Sequence, residues 1–279
     1  MIKNKTCCPR DPKSKYNGEP VKQVVCGVIF ALLFGLVIHP VLAASSAVGV
    51  VLMHGKWGSP QGMLPLARDL ESRGYIVSNA EMPWSGRRLY DVDYPTALKE
   101  IEQQVGRLRG NGARRIVVAG QSLGSNAAVA YASSGFDLDG LVILSPGHFP
   151  EGGMGKRLRP SLERARRMIA DNRGADSESF DDINQGKQMS IKMTASNYVS
   201  YFDPDGLGAI TKNIKKLSKA VPVLMVIGTA DPFYPESKAM FDSAPPHELS
   251  RYVALETDHF NLPKVVATEF LKWLDSFAQ

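Results

Sequence analysis

From Val48 to the C-terminus, short apolar runs alternate with amphipathic helical patterns, and this alternation restricts the chain to a mostly parallel sheet flanked by helices. Strands are expected at Val48–His54, Tyr75–Ala80, Arg115–Gly120, Leu141–Pro146, Val221–Gly228 and Arg251–Glu256. Helices are expected near Met63–Arg73, Pro95–Arg109, Leu123–Ser134, Pro235–Ser243 and Lys264–Phe277. The alternation is interrupted once, between Pro150 and Ala220, by a segment far longer than one crossover requires. Within it, Leu158, Leu162, Ala165 and Ile169 share one helical face, and a second helix is expected over roughly Asp182–Ser200. The segment therefore reads as a helical cap over the C-terminal edge of the sheet, where open α/β sheets bind ligands. The arginines on its first helix read as a solvated surface.

The residues before this region have a different character. Lysines and arginines lead into the uncharged run Val24–Ile38, and small residues follow at Val41–Ser46. Residues 1–44 thus read as a signal peptide cleaved near Ala43 or as an uncleaved membrane anchor. In either case residues 45–279 are exported, to the periplasm or beyond, and membrane association is expected only through the leader. The formal net charge of +5 is concentrated there, because six basic and two acidic residues precede Ser45. The remainder is nearly neutral and offers no electrostatic support for binding nucleic acid. All three cysteines (Cys7, Cys8 and Cys26) also fall in the leader, so the exported part has no thiol nucleophile.

The junction Gly120-Gln121-Ser122-Leu123-Gly124 joins a β-branched run directly to an alanine-rich helix. Such a turn strains its corner residue and needs very small neighbours two positions away, so it presents Ser122 at the sheet edge above a helix N-terminus. A serine hydroxyl is a weak nucleophile unless a base lies within hydrogen-bond reach and a carboxylate orients that base. His259, after the last strand, is the first candidate for the base, with His148 the alternative. Asp231 follows an apolar strand at the same sheet edge and is the expected carboxylate, ahead of Glu151. Asp258 adjoins His259 in sequence, but neighbours on an extended chain point to opposite sides. Two backbone donors are needed for an oxyanion, and the amides of Leu123 and Lys56 are expected to supply them. His54, Gly55, Trp57, Trp84, Arg87 and His148 are candidates for contact with substrate. Lys56, Arg87 and Arg88 hint at an anionic or polar substrate group beside an apolar one.

Together, His54-Gly55 after the first strand, the Gly120–Gly124 elbow, the inserted cap, Gly228-Thr-Ala-Asp231 and Asp258-His259-Phe260 resemble the α/β-hydrolase superfamily over about Val48–Gln279. The resemblance implies an α/β-hydrolase fold and a triad in the order Ser122, Asp231, His259. It further implies a serine hydrolase acting on a small acyl substrate, most simply a carboxylic ester, through an acyl-enzyme. An amidase or peptidase of the same fold, or a non-catalytic binding protein on that scaffold, are the alternatives. No cofactor is expected, and Asp203-Pro-Asp205-Gly is only a fragment of a calcium loop, so no metal is expected either.

Overall fold

The computed structural model describes residues 47–217 and 221–277. The leader expected over residues 1–44 lies outside them. The elements in chain order begin with β1 (Val48–Met53), α1 (Leu64–Ser72), β2 (Ile76–Ser78), α2 (Tyr94–Gly110), β3 (Arg115–Gln121), α3 (Leu123–Ser133) and β4 (Gly140–Leu144). The insertion follows, with α4 (Gly153–Ala170), β5 (Ser177–Asn184), β6 (Lys187–Thr194), α5 (Ala195–Phe202) and α6 (Ile210–Asn213). The chain then returns through β7 (Val223–Gly228), α7 (Tyr234–Asp242), β8 (Arg251–Leu255), α8 (Leu262–Val265) and α9 (Ala267–Phe277).

Six strands form one sheet in the order β2-β1-β3-β4-β7-β8, and every neighbouring pair is parallel. Helices cover both faces, so the central strands β1, β4 and β7 are buried at every position and alternate residues feed two separate cores. On β1 and β3, Val50, Leu52, Val117 and Ala119 pack with Leu66 and Leu70 of α1 and Phe270 and Leu274 of α9. Val51, Met53, Ile116 and Val118 face the other way, toward Leu98, Ile101 and Val105 of α2. Residues Leu123–Ala132 of α3 are all buried, which suits an alanine-rich helix with neighbours on every side. Among the described residues, no helix is long and apolar enough to cross a membrane.

The insertion differs from its expected form. In place of a second helix from Asp182, residues Ser177–Thr194 form an antiparallel hairpin, and only Ala195–Phe202 is helical. The cause is local, because Gln185 (φ 47) and Gly186 (φ 79) both adopt positive φ, as a two-residue hairpin turn requires. Alternating burial of Ile191 and Met193 on β6 then fixes one face inward. On α4 the buried face runs through Leu158, Leu162 and Ala165 as expected, but it ends on Met168, and Ile169 is exposed. Arg157, Arg159 and Arg167 of this helix are exposed, as a solvated surface requires, while Arg164 lies over the Phe180 ring and pairs with Glu178, and Arg166 pairs with Asp203. Tyr201 packs edge-on against Tyr90 with centroids 4.8 Å apart, so the cap shares a continuous core with one face of the sheet.

Candidate active site

Five residues turn β3 into α3, and the close packing there explains the two glycines. A Cβ on Gly120 would lie 2.2 Å from the carbonyl group of Gly124, and one on Gly124 would lie 2.7 Å from the Met53 carbonyl oxygen. Ser122, at the corner, has φ 56 and ψ −121. A non-glycine residue persists there only if its surroundings over-determine it, and they do. The Ser122 amide donates to the carbonyls of Leu144 (3.0 Å) and Ser145 (3.1 Å), and the Ser125 hydroxyl donates to Gly120 O at 2.6 Å.

His259 and Asp231 arrive from the ends of β8 and β7. His259 Nδ1 is 2.7 Å from Asp231 Oδ2, and both side chains are buried. Burial pushes the Asp231 carboxyl up, but the bonds from His259 and from the Phe233 amide (2.9 Å), with the Ser145 hydroxyl beside it, hold it below the usual carboxylate range. An ionised Asp231 keeps a proton on Nδ1 and leaves Nε2 as the reactive nitrogen. Gly147 marks where that edge of the ring points: a Cβ there would sit 2.4 Å from Ser122 Oγ and 3.3 Å from His259 Nε2. Hydroxyl and imidazole therefore line one small space. The Gln121 side chain holds the His259 backbone by donating to its carbonyl at 3.2 Å.

The loop after β1 lies against the elbow, where a Cβ on Gly55 would be 2.9 Å from Ser122 Cβ. The Gly55 carbonyl accepts from Gly58 N (3.1 Å) and is 2.8 Å from His54 Nδ1. Because C=O and N–H of a trans peptide point in opposite directions, these bonds aim the Lys56 N–H the other way. Among the described residues, neither the Lys56 nor the Leu123 amide donates to another backbone group outside regular secondary structure, and Leu123 is the first residue of α3. Leu123 thus follows Ser122 directly, and Lys56 follows the glycine that packs against Ser122.

Several other expected contacts are engaged elsewhere. His54 is buried, its Nε2 accepts from the Met82 amide at 3.1 Å, and burial lowers its pKa, so it braces the loop and has no nitrogen left for substrate. Trp84 is wholly buried and donates to His54 O at 2.8 Å. Arg87 pairs with Glu81, Arg88 with Asp91 and Glu100, and the Lys56 ammonium with Asp182, so each of these cations already has a carboxylate partner. Trp57 donates from Nε1 to Asp182 at 3.0 Å. His148 is buried with Nε2 2.8 Å from Tyr201 O, and burial, then the Lys56 charge, pushes its pKa well below the ordinary value. Glu151 accepts from the Thr211 amide and hydroxyl, and Asp258 caps the turn into α8 by accepting from the Phe260 and Asn261 amides.

Sequence reasoning passed over Gln121, Asn126, Gly147 and Asp182. Only Gln121 has a local signal, its place inside the elbow motif; the others act through contacts between distant segments.

The Alpha/beta hydrolase family profile matches residues 50–268 of this chain. A thermostable monoacylglycerol lipase of Bacillus sp. (strain H-257) is 30% identical over 107 residues, which is 37% of this chain and 42% of that protein. The match thus spans less than half the length of that relative. Among solved structures, the alpha/beta hydrolase GrgF from Penicillium sp. sh18 superposes with a TM-score of 0.62 at 17% identity, covering 84% of this chain and 90% of that one. A monoacylglycerol lipase of Paleococcus ferrophilus gives 0.56 at 20% identity, covering 82% and 93%.

Proposed function

The chain belongs to the alpha/beta hydrolase family, and from that premise we propose that it is a serine hydrolase cleaving carboxylic esters through a Ser122–His259–Asp231 triad. The observation that carries this reading is the pairing of His259 with Asp231 at 2.7 Å while the imidazole shares with Ser122 Oγ the space beside Gly147. In the reaction, Ser122 Oγ attacks the ester carbonyl as His259 Nε2 takes its proton. The Leu123 and Lys56 amides receive the developing oxyanion. The imidazolium, stabilised by Asp231, protonates the leaving alcohol, and water releases the acyl group by the same steps.

Serine at the elbow favours acyl transfer to water, and the lipase-named relative favours an ester over an amide. Export remains part of the proposal and is supported by the leader over residues 1–44. The test is labelling of Ser122 by a fluorophosphonate probe, together with turnover of chromogenic esters of graded acyl length beside aminoacyl amides. Ser122→Ala should abolish labelling and lower turnover by at least about 10⁴-fold. Undiminished ester turnover by that variant overturns the reading, and faster amide than ester cleavage replaces the substrate class.

A further inference from the structure

Asp182, on β5 of the cap, is fully buried and gathers groups from two other segments, the loop at Lys56-Trp57 and Tyr90. Lys56 Nζ donates to its Oδ1 at 2.6 Å, while Trp57 Nε1 (3.0 Å) and the Tyr90 hydroxyl (2.6 Å) donate to Oδ2. Its own neighbour adds a fourth donor, the Ile183 amide, at 2.7 Å to Oδ1. Lys56 Nζ continues to the Ile183 carbonyl at 3.0 Å, and the Lys56 carbonyl accepts from Asn184 Nδ2 at 3.1 Å. Both the side chain and the backbone of Lys56 are therefore tied to the cap hairpin.

The loop needs such a hold. Trp57 has φ 55, a left-handed conformation unfavourable for a side chain of that size. Its amide is bound to Trp84 O at 2.8 Å, and its indole N–H donates to the cap carboxylate. A buried ion pair is weak support for stability, because desolvation offsets much of the attraction. Its more particular consequence here is geometric, since the residues it fixes are the two that follow Gly55 beside Ser122.

We propose that Asp182 is a positioning residue for catalysis, holding Lys56 and Trp57 so that the Lys56 N–H faces the oxyanion, with the cap and the oxyanion loop acting as one unit. The inference rests on the serine-hydrolase reading above. It accounts for a buried lysine in a loop whose expected contribution is a backbone amide. It also makes the seating of the cap a condition for fast turnover.

The experiment measures steady-state kinetics on one chromogenic ester, and inhibition by a trifluoromethyl ketone that forms a tetrahedral oxyanion on the serine, for Asp182→Asn, Lys56→Met and Trp57→Phe. Tyr131→Phe, which loses a bond to Glu102 away from the site, serves as the control for lost stability. Asp182→Asn and Lys56→Met should lower kcat by more than about tenfold with KM nearly unchanged, the signature of an interaction made in the transition state. The ketone should weaken by the same factor as kcat/KM. Trp57→Phe should lose a few-fold in the same pattern, and it decides the matter if the other variants do not fold. A folded Asp182→Asn or Trp57→Phe with parental kcat and ketone affinity overturns the inference. Ester turnover that survives Ser122→Ala identifies failure of the underlying reading instead.

Discussion

The side-chain amide of Asn126 donates to the Gly208 carbonyl at 2.8 Å, so the helix that starts beside Ser122 also holds the far end of the cap. The same amide donates to the carbonyl of His148, where the chain leaves the sheet for the cap. One wholly buried residue, a single turn beyond the elbow, thus fastens both ends of the insertion.

Asn126→Ala should therefore destabilise the fold by about 2–5 kcal/mol, because two buried carbonyls lose a donor and nothing replaces it. Urea denaturation measures the loss, and limited proteolysis should cut first between residues 149 and 209. A loss below about 0.5 kcal/mol would show that the two carbonyls find other partners.

Asp231→Asn should lower kcat by about 10³–10⁴-fold, since an amide cannot hold the imidazole in the required tautomer or stabilise its cation. Asp258→Asn should stay within about threefold of the parent, because that carboxylate is tied to the turn before α8 and not to the ring. Kinetics of the two variants on one ester check this, and the reverse ranking would mean the wrong carboxylate had been assigned. Interactions of the native state hold the Asp231 carboxyl below its ordinary 3.8, so it stays ionised down to that range. Activity lost on acidification above pH 4 must then come from a different group.

The pH dependence of stability should be set by His148 and His54 on the acid side of neutrality. Burial lowers both pKa values from 6.5 in the folded state. Below pH 6.5 the unfolded chain binds protons that the folded chain refuses, so stability falls as pH falls, by up to about 1.4 kcal/mol per pH unit for each residue. Melting temperatures between pH 7.5 and 5 measure the slope. A flat profile across that range would show that both rings take up protons without leaving their buried positions.

Ser122→Gly should be inactive yet more stable than Ser122→Ala by about 1 kcal/mol. Both lack the hydroxyl, but only glycine relieves a corner residue held at φ 56. Comparison of the two unfolding midpoints isolates that strain. Equal midpoints would mean that the added freedom of glycine in the unfolded chain cancels it.

Local physics made much of this protein legible in its sequence. Six strands and most of the helices announce themselves because hydrophobic periodicity is a property of neighbouring residues. The elbow is equally local: a strand turning into a helix within five residues needs the glycines at 120 and 124, and the residue between them must face outward. The positions of Asp231 and His259 followed from the rule that strand ends of a parallel sheet meet at one edge.

Tertiary structure decided what depends on pairs far apart in the chain. The segment from Asp182 contains enough apolar residues for either a helix or a hairpin, and the turn at Gln185-Gly186 together with burial of Ile191 and Met193 selected the hairpin. Lys56 and Trp57 look, in sequence, like groups offered to a ligand, yet a carboxylate 126 residues beyond Lys56 engages them. His54 and Trp84 were withdrawn into the interior in the same way. A local pattern records whether a residue suits a strand, a turn or a helix, whereas the partner of a buried charge or ring nitrogen is set only when distant segments pack and every desolvated polar group must find its bond.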